Sequence, residues 1–198
     1  MNHTLYMKLI VGLGNPGKQY LKTRHNAGFQ ALDFLREHFG FEKFHRDIRF
    51  HAEISVGTVR GEKYLLIKPS TFMNRSGNAA SLLMRYYRLT PNDIFVLHDD
   101  LDIAPGTVRT TCSSRAAGHN GVQNIIDQLG TQDFFRIRLG IGRPSPISSP
   151  SDTAPSACRS THEYVLETFP DAEQRLLESV FPSLPALIEK AAPKQSGD

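Results

Sequence analysis

Hydrophobic spacing along the chain switches repeatedly between a period of two and a period of three to four, the mark of strands interleaved with helices. Residues 8–13 form a short apolar run closed by glycine, which predicts a buried strand. Asn15-Pro16-Gly17 supplies a turn, because proline fixes φ and glycine accepts positive φ. From Asn26 the spacing becomes helical through Gly28, Ala31, Leu32, Leu35 and Phe39, with Gly40 placed as its C-cap. Residues 51–58 alternate, Ala52, Ile54 and Val56 against His51, Glu53 and Ser55, as a half-buried strand does. A turn at 60–63 leads to a second strand at 64–68, which Pro69 stops.

The polar loop at 70–77 precedes a helix carrying Leu82, Leu83, Tyr86 and Tyr87. Pro91-Asn92-Asp93 turns the chain into a buried strand at 94–97, followed at once by His98-Asp99-Asp100-Leu101-Asp102. Residues 107–111 alternate like an edge strand, 112–117 form a loop, and Gly118-His119-Asn120-Gly121 opens a helix reaching Leu129. A last strand spans 134–141, with Arg136 and Arg138 on one face. A short element at 161–169 and a closing helix over 171–190, interrupted around 182–185, complete the pattern. Elements interleaved in this way predict an α/β fold: one three-layer domain over 1–198, a mixed twisted sheet flanked by helices. The Ser- and Pro-dense stretch 144–160 is too polar to pack and reads as a surface loop, and 191–198 as a disordered tail.

A composition of 39% hydrophobic and 22% charged residues is that of an ordinary soluble globule, and 198 residues suffice for a sizeable core. The formal charge of +3 permits a polyanionic partner without requiring one. Cys112 and Cys158 lie in loop-like sequence without CxxC pairing and read as reduced thiols of a cytoplasmic protein. No apolar run approaches the ~18 residues of a membrane span, and the first residues lack a signal-peptide core.

Gly12-x-Gly14-x-x-Gly17 spells the dinucleotide-binding fingerprint. Such a site also needs its helix to start inside the motif, with amides facing the pyrophosphate, and an acidic residue ending the next strand. Here the helix starts near Asn26, and Asp33, at about the right distance, falls inside it. The glycines instead describe a tight strand exit that lets the backbone approach another group closely.

Ligands of open α/β sheets sit at the carboxyl ends of strands. Asn15, Asn74, His98-Asp99 and His119-Asn120 follow strand candidates or open the next helix, and His25 opens the first helix. Each alone has an ordinary explanation as a turn-former or a cap. Gathered at one sheet edge they make a hydrolytic set. His25 has the near-neutral titration of a general base, and Asp99 can hold its tautomer. Asparagine amides can donate to a developing oxyanion. No serine stands in a GxSxG elbow, and His98, Asp99, Asp100 and Asp102 lack a supporting metal motif. The set points to hydrolysis by activated water, with no metal and no cofactor.

A series of blocks stands in order over residues 8–142: VGLGNPGKQY at 11–20, TRHNAG at 23–28, KPSTFMNRSG at 68–77, HDDLD at 98–102, GHNG at 118–121 and FRIRLGIG at 135–142. In these blocks the chain resembles the bacterial-type peptidyl-tRNA hydrolases. The resemblance implies cleavage of the ester between a peptide and the 3′ ribose of tRNA, recycling peptidyl-tRNA from stalled ribosomes. By the same resemblance His25 takes the proton of water, Asp99 stabilises the base, and Asn15 helps discriminate N-blocked from free aminoacyl-tRNA. Tyr20, Phe72, Asn74 and Asn120, with Met73 and Gly118 in the same blocks, match substrate- or tRNA-contacting positions. Arg138 matches a basic position facing tRNA phosphate. The implied partner is peptidyl-tRNA, with no membrane and no obligate protein partner, for a monomer acting in the cytoplasm.

The family's loop ahead of Gly118 is usually glycine-rich, often with a lysine before it. Here 111–117 reads TCSSRAA, leaving Arg115 as the nearby cation. The 144–160 stretch is also longer than the family leads one to expect. Two other readings stand beside the enzyme. One is a non-catalytic RNA-binding relative, since some plant splicing factors resemble this family; it would not require a base with its orienter. The other is a Rossmann nucleotide binder, which the late helix disfavours.

Overall fold

A computed structural model describes residues 7–144 and 160–191. Its seven strands are β1 (Met7–Gly12), β2 (His45–Asp47), β3 (Ala52–Val59), β4 (Glu62–Pro69), β5 (Ile94–Asp100), β6 (Val108–Cys112) and β7 (Phe135–Gly140). They form one sheet in the order β2-β3-β4-β1-β5-β7-β6. The neighbours β4, β1, β5 and β7 run parallel, and antiparallel strands close both edges. The mixed sheet expected from the interleaved pattern is the one that forms.

The helices are α1 (Ala27–His38), α2 (Ser76–Tyr87), α3 (Asn120–Leu129), α4 (Thr161–Leu166), α5 (Asp171–Val180) and α6 (Leu184–Ala191). Strand alternation sorts them into layers. Ile10, Leu66, Phe95, Leu97, Ile137 and Leu139 face one core, shared with α1, α4, α5 and α6. Leu9, Val11, Leu65, Ile67, Ile94 and Val96 face the other, against α2 and α3. Central strands covered on both sides must be apolar at successive positions, which is why they appear in the sequence as unbroken runs. The interruption expected near 182–185 is a 3₁₀ turn at Phe181–Ser183, where Pro182 cannot donate a helical hydrogen bond.

Two elements depart from the sequence reading. β2 was not anticipated: His45-Arg46-Asp47 is a polar edge strand, held to β3 by backbone pairing and lacking an apolar period. β5 does not stop at Leu97 but continues to Asp100, because β7 pairs with it as far as Asp100↔Gly140. His98 and Asp99 therefore stand in the strand itself, not in a loop after it.

The glycine-rich exit of β1 is explained by helix packing. A Cβ on Gly12 would lie 2.6 Å from the Gly28 carbonyl oxygen and 2.7 Å from the Leu32 side chain, so α1 crosses β1 at backbone contact. The helix starts at Ala27, as the spacing predicts, well beyond the GxGxxG turn.

Apart from their boundary residues, the loop expected at 144–160 and the tail expected at 191–198 lie outside the described residues, as does Cys158. Cys112 is an exposed free thiol. No described helix is long and apolar enough to cross a membrane.

Candidate active site

Adjacent parallel strands end on the same side of a sheet, and β1 and β5 are such neighbours. The chain leaving β1 forms the turn with Asn15 and then a 3₁₀ turn, Arg24–Asn26, that carries His25; β5 carries Asp99. Although 74 positions apart in sequence, His25 and Asp99 meet: Nδ1 of the imidazole lies 3.0 Å from both carboxylate oxygens. Arg24 fixes the turn from behind. Its buried guanidinium donates to Glu167, Glu173 and the Tyr164 carbonyl, and lies 4.0 Å over the Tyr164 ring. The segment that carries His25 is thereby bolted to α4 and α5.

An ionised Asp99 facing Nδ1 places the His25 proton there and leaves Nε2 with its lone pair. Burial alone would lower the His25 pKa, but the Asp99 charge and its hydrogen bond outweigh burial and hold it above the ordinary value. Burial would raise Asp99, yet His25 and His119 together keep its carboxyl well below the usual carboxylate range. The carboxylate is thus ionised although it is only 3% exposed.

His119, one of the polar residues that open the helix after 117, has no role that residue type and spacing assign. It is the N-cap of α3, where its Nδ1 accepts from the backbone N–H groups of Gly121 and Val122 at 3.2 and 3.3 Å. Its Nε2 lies 3.0 Å from Asp99 Oδ1. His98 completes the surround: Nδ1–H donates to the Asp99 carbonyl at 2.7 Å, and its ring meets that of His119 edge-on. Complete burial pushes the His98 pKa down to about 3, so this ring is neutral.

Asn15 is oriented just as closely. Asn26 holds its backbone in both directions, accepting from Asn15 N–H at 2.8 Å and donating to its carbonyl at 3.0 Å. The Asn15 side-chain oxygen accepts from Met73 N–H at 2.9 Å, which leaves Nδ2 as a donor for a ligand. The Met73 side chain is buried in the core beneath, so its part in the site is played by backbone. Phe72 is 58% exposed beside it, and Asn74 is exposed as well.

A cavity of about 380 Å³ opens from His25 and Asp99 past Gly118, His119 and Asn120 to Arg143 and His162. Tyr20 ends a separate 3₁₀ turn at Lys18–Tyr20. Arg138 donates to Asp100 at 2.7 Å and stands across from Arg109 in the β6–β7 register. The Arg115 side chain is exposed. The backbone around it is pinned by the buried Arg136, which donates to the carbonyls of Ser114 and Arg115. Ser113 and Ala117 take φ of 54° and 49°, the left-handed region that favours glycine. The loop keeps a glycine-type conformation without the glycines.

Of the residues named from sequence, hydrogen bonds connect Asn15 to Met73 and His25 to Asp99, and the cavity gathers Gly118 and Asn120 with the latter pair. Tyr20, Arg115 and Arg138 stand outside that network. Asn26, His98, His119 and Arg24 were missed as positioning groups. The adjacency of Asn26 and Arg24 to His25 is the signal that was present; His119 stood among the polar residues opening a helix, but histidine is not a usual N-cap, so nothing marked it as a positioning group.

Among the described residues, His25, Asp99 and His119 could gather a metal, with ligand atoms within 4.8 Å of one another. The proton placement opposes it. Both imidazole nitrogens aimed at Asp99 act as N–H donors, and freeing the His119 Nε2 lone pair would put a proton on Nδ1, against the α3 amides.

A family model described as peptidyl-tRNA hydrolase matches residues 9–196. A peptidyl-tRNA hydrolase of Brevibacillus brevis is 45% identical over 168 residues, spanning 85% of this chain and 82% of its own. One from Rhodospirillum centenum is 45% identical over 185 residues, 93% and 74% of the two chains. The crystal structure of peptidyl-tRNA hydrolase from Acinetobacter baumannii superimposes with a TM-score of 0.80 at 31% identity, covering 97% of this chain and 95% of that one.

Proposed function

The chain belongs to the peptidyl-tRNA hydrolase family and cleaves the ester bond of peptidyl-tRNA; within that activity we propose that His25 is the general base and Asp99 the group that holds it. The observation that carries this is the contact of His25 Nδ1 with both Asp99 oxygens at 3.0 Å, which commits one ring nitrogen and leaves the other for water. Nε2 takes a proton as water attacks the ester carbonyl. We assign the oxyanion to amide donors, Asn120 in the cavity wall among them. On collapse the 3′ oxygen leaves with the proton returned from Nε2.

With its side-chain oxygen held by Met73 N–H, Asn15 offers a substrate its Nδ2 donor. A donor pairs with the carbonyl oxygen of an N-acyl group and has nothing to offer a free ammonium, which is the chemistry that separates N-blocked from free aminoacyl-tRNA. Tyr20, Phe72, Met73, Asn74 and Gly118 supply further substrate contacts, and Arg138 and Arg115 the phosphate contacts. A substrate made by ribosomes puts the enzyme in the cytoplasm, and we expect a monomer with no obligate protein partner.

The test is deacylation of N-blocked aminoacyl-tRNA followed against pH. The base must be neutral, and His25 is held above 6.5, so kcat/KM is lost as pH falls through a midpoint above that value. A rate that stays flat between about pH 5 and 8 removes His25 from the role. For the phosphate contacts, Arg138→Ala is expected to weaken tRNA binding and make its log–log salt dependence shallower by about one. An unchanged slope takes Arg138 off the tRNA surface.

A further inference from the structure

Asp99 Oδ1 is shared by two imidazoles, and the mechanism above uses only one of them. We propose that His119 is a positioning residue, whose tautomer the first amides of α3 fix so that its other nitrogen holds Asp99 in line with His25. This rests on the reading of His25 as the base.

Both nitrogens of His119 are committed. Two backbone N–H groups, of Gly121 and Val122, point at Nδ1, so Nδ1 accepts and carries no proton. The proton of a neutral imidazole is then on Nε2, which lies 3.0 Å from Asp99 Oδ1. A chain of donors therefore runs one way, from the α3 amides to His119 and from His119 to Asp99, with His25 donating to the same carboxylate. A carboxylate held by one side-chain partner can rotate about its last bond; held by donors from two elements it cannot. The Asp99 backbone is fixed independently by β5 pairing and by His98. The ring centroids of His25 and His119 are 4.9 Å apart, so the second donor also walls the base on one side.

Two substitutions separate the halves of this device. In His119→Asn the side-chain oxygen takes the place of Nδ1 and still caps α3, but the amide is too short to reach Asp99. In His119→Gln the terminal amide nitrogen takes the place of Nε2 and restores a donor to Asp99. His119→Asn is expected to melt close to wild type, to lose roughly tenfold in kcat, and to keep its KM for N-blocked aminoacyl-tRNA. His119→Gln is expected to recover most of that kcat, although its cap is weaker. A wild-type kcat for His119→Asn overturns the proposal. So does a change confined to KM, which would make His119 a substrate contact, and so does equal loss in both variants. His25→Asn is assayed beside them. If it turns over normally, the reading of the base has failed; if it is dead while His119→Asn is normal, only the present inference has.

Discussion

Replacing His25 by asparagine is expected to lower turnover of N-blocked aminoacyl-tRNA roughly a thousandfold with KM nearly unchanged. The size follows from what is removed. A positioned base contributes about 10²–10⁴ in rate, and among the described residues no other group in the cavity combines a held tautomer with a lone pair left for water. Asparagine is chosen because its amide nitrogen can occupy the place of Nδ1 and keep Asp99 paired. Alanine would confuse two effects, since removing a partner from a buried carboxylate costs on the order of 3 kcal/mol of stability besides the lost base. Single-turnover deacylation, with far-UV circular dichroism as the folding control, decides it. Turnover within tenfold of wild type would place the base elsewhere.

The second large effect is on folding. Gly28 lies in the first turn of α1, where a Cβ would come within 2.3 Å of the Leu97 carbonyl oxygen, 2.5 Å of Leu13 N and 2.6 Å of Leu13 O. The first two of those atoms are acceptor and donor of the bond between Leu13 N–H and Leu97 C=O, at 2.9 Å, that continues the β1–β5 pairing, and the third is the carbonyl oxygen of the same Leu13. None is the end of a flexible side chain, so α1 would have to lift off the sheet. Helix propensity alone favours alanine over glycine by about 1 kcal/mol. The packing conflict reverses the sign, and Gly28→Ala is expected to destabilise by about 3 kcal/mol. For a chain of this length that lowers Tm by roughly 6–12 °C. Because α1 follows directly on His25 and β5 ends at Asp99 and Asp100, the folded fraction should also turn over more slowly. An unchanged or raised melting temperature would show that the contact yields.

Much of the site is legible before folding is considered, because its chemistry is local in kind. A near-neutral base at a helix start, a carboxylate after an apolar run and asparagines in turns can each be named from residue type and position. The late start of α1 is legible too, and it is what separates this turn from a dinucleotide site. β2 and the full length of β5 were not, since both depend on a neighbouring backbone: β3 recruits His45–Asp47, and β7 carries β5 out to Asp100.

The sequence by itself determined the interleaved periods and the covered parallel strands, and it marked His25, Asp99 and Asn15 as candidates for the chemistry. Only the tertiary structure decided their orientation. That Met73 N–H holds the Asn15 side-chain oxygen, which nitrogen of His119 bears the proton, and that Arg138 already pairs with Asp100 are set by partners far along the chain or by backbone N–H groups. Every residue except proline carries such an amide, so no sequence pattern distinguishes the one that orients a side chain; strand order does, by bringing it within 3 Å or so.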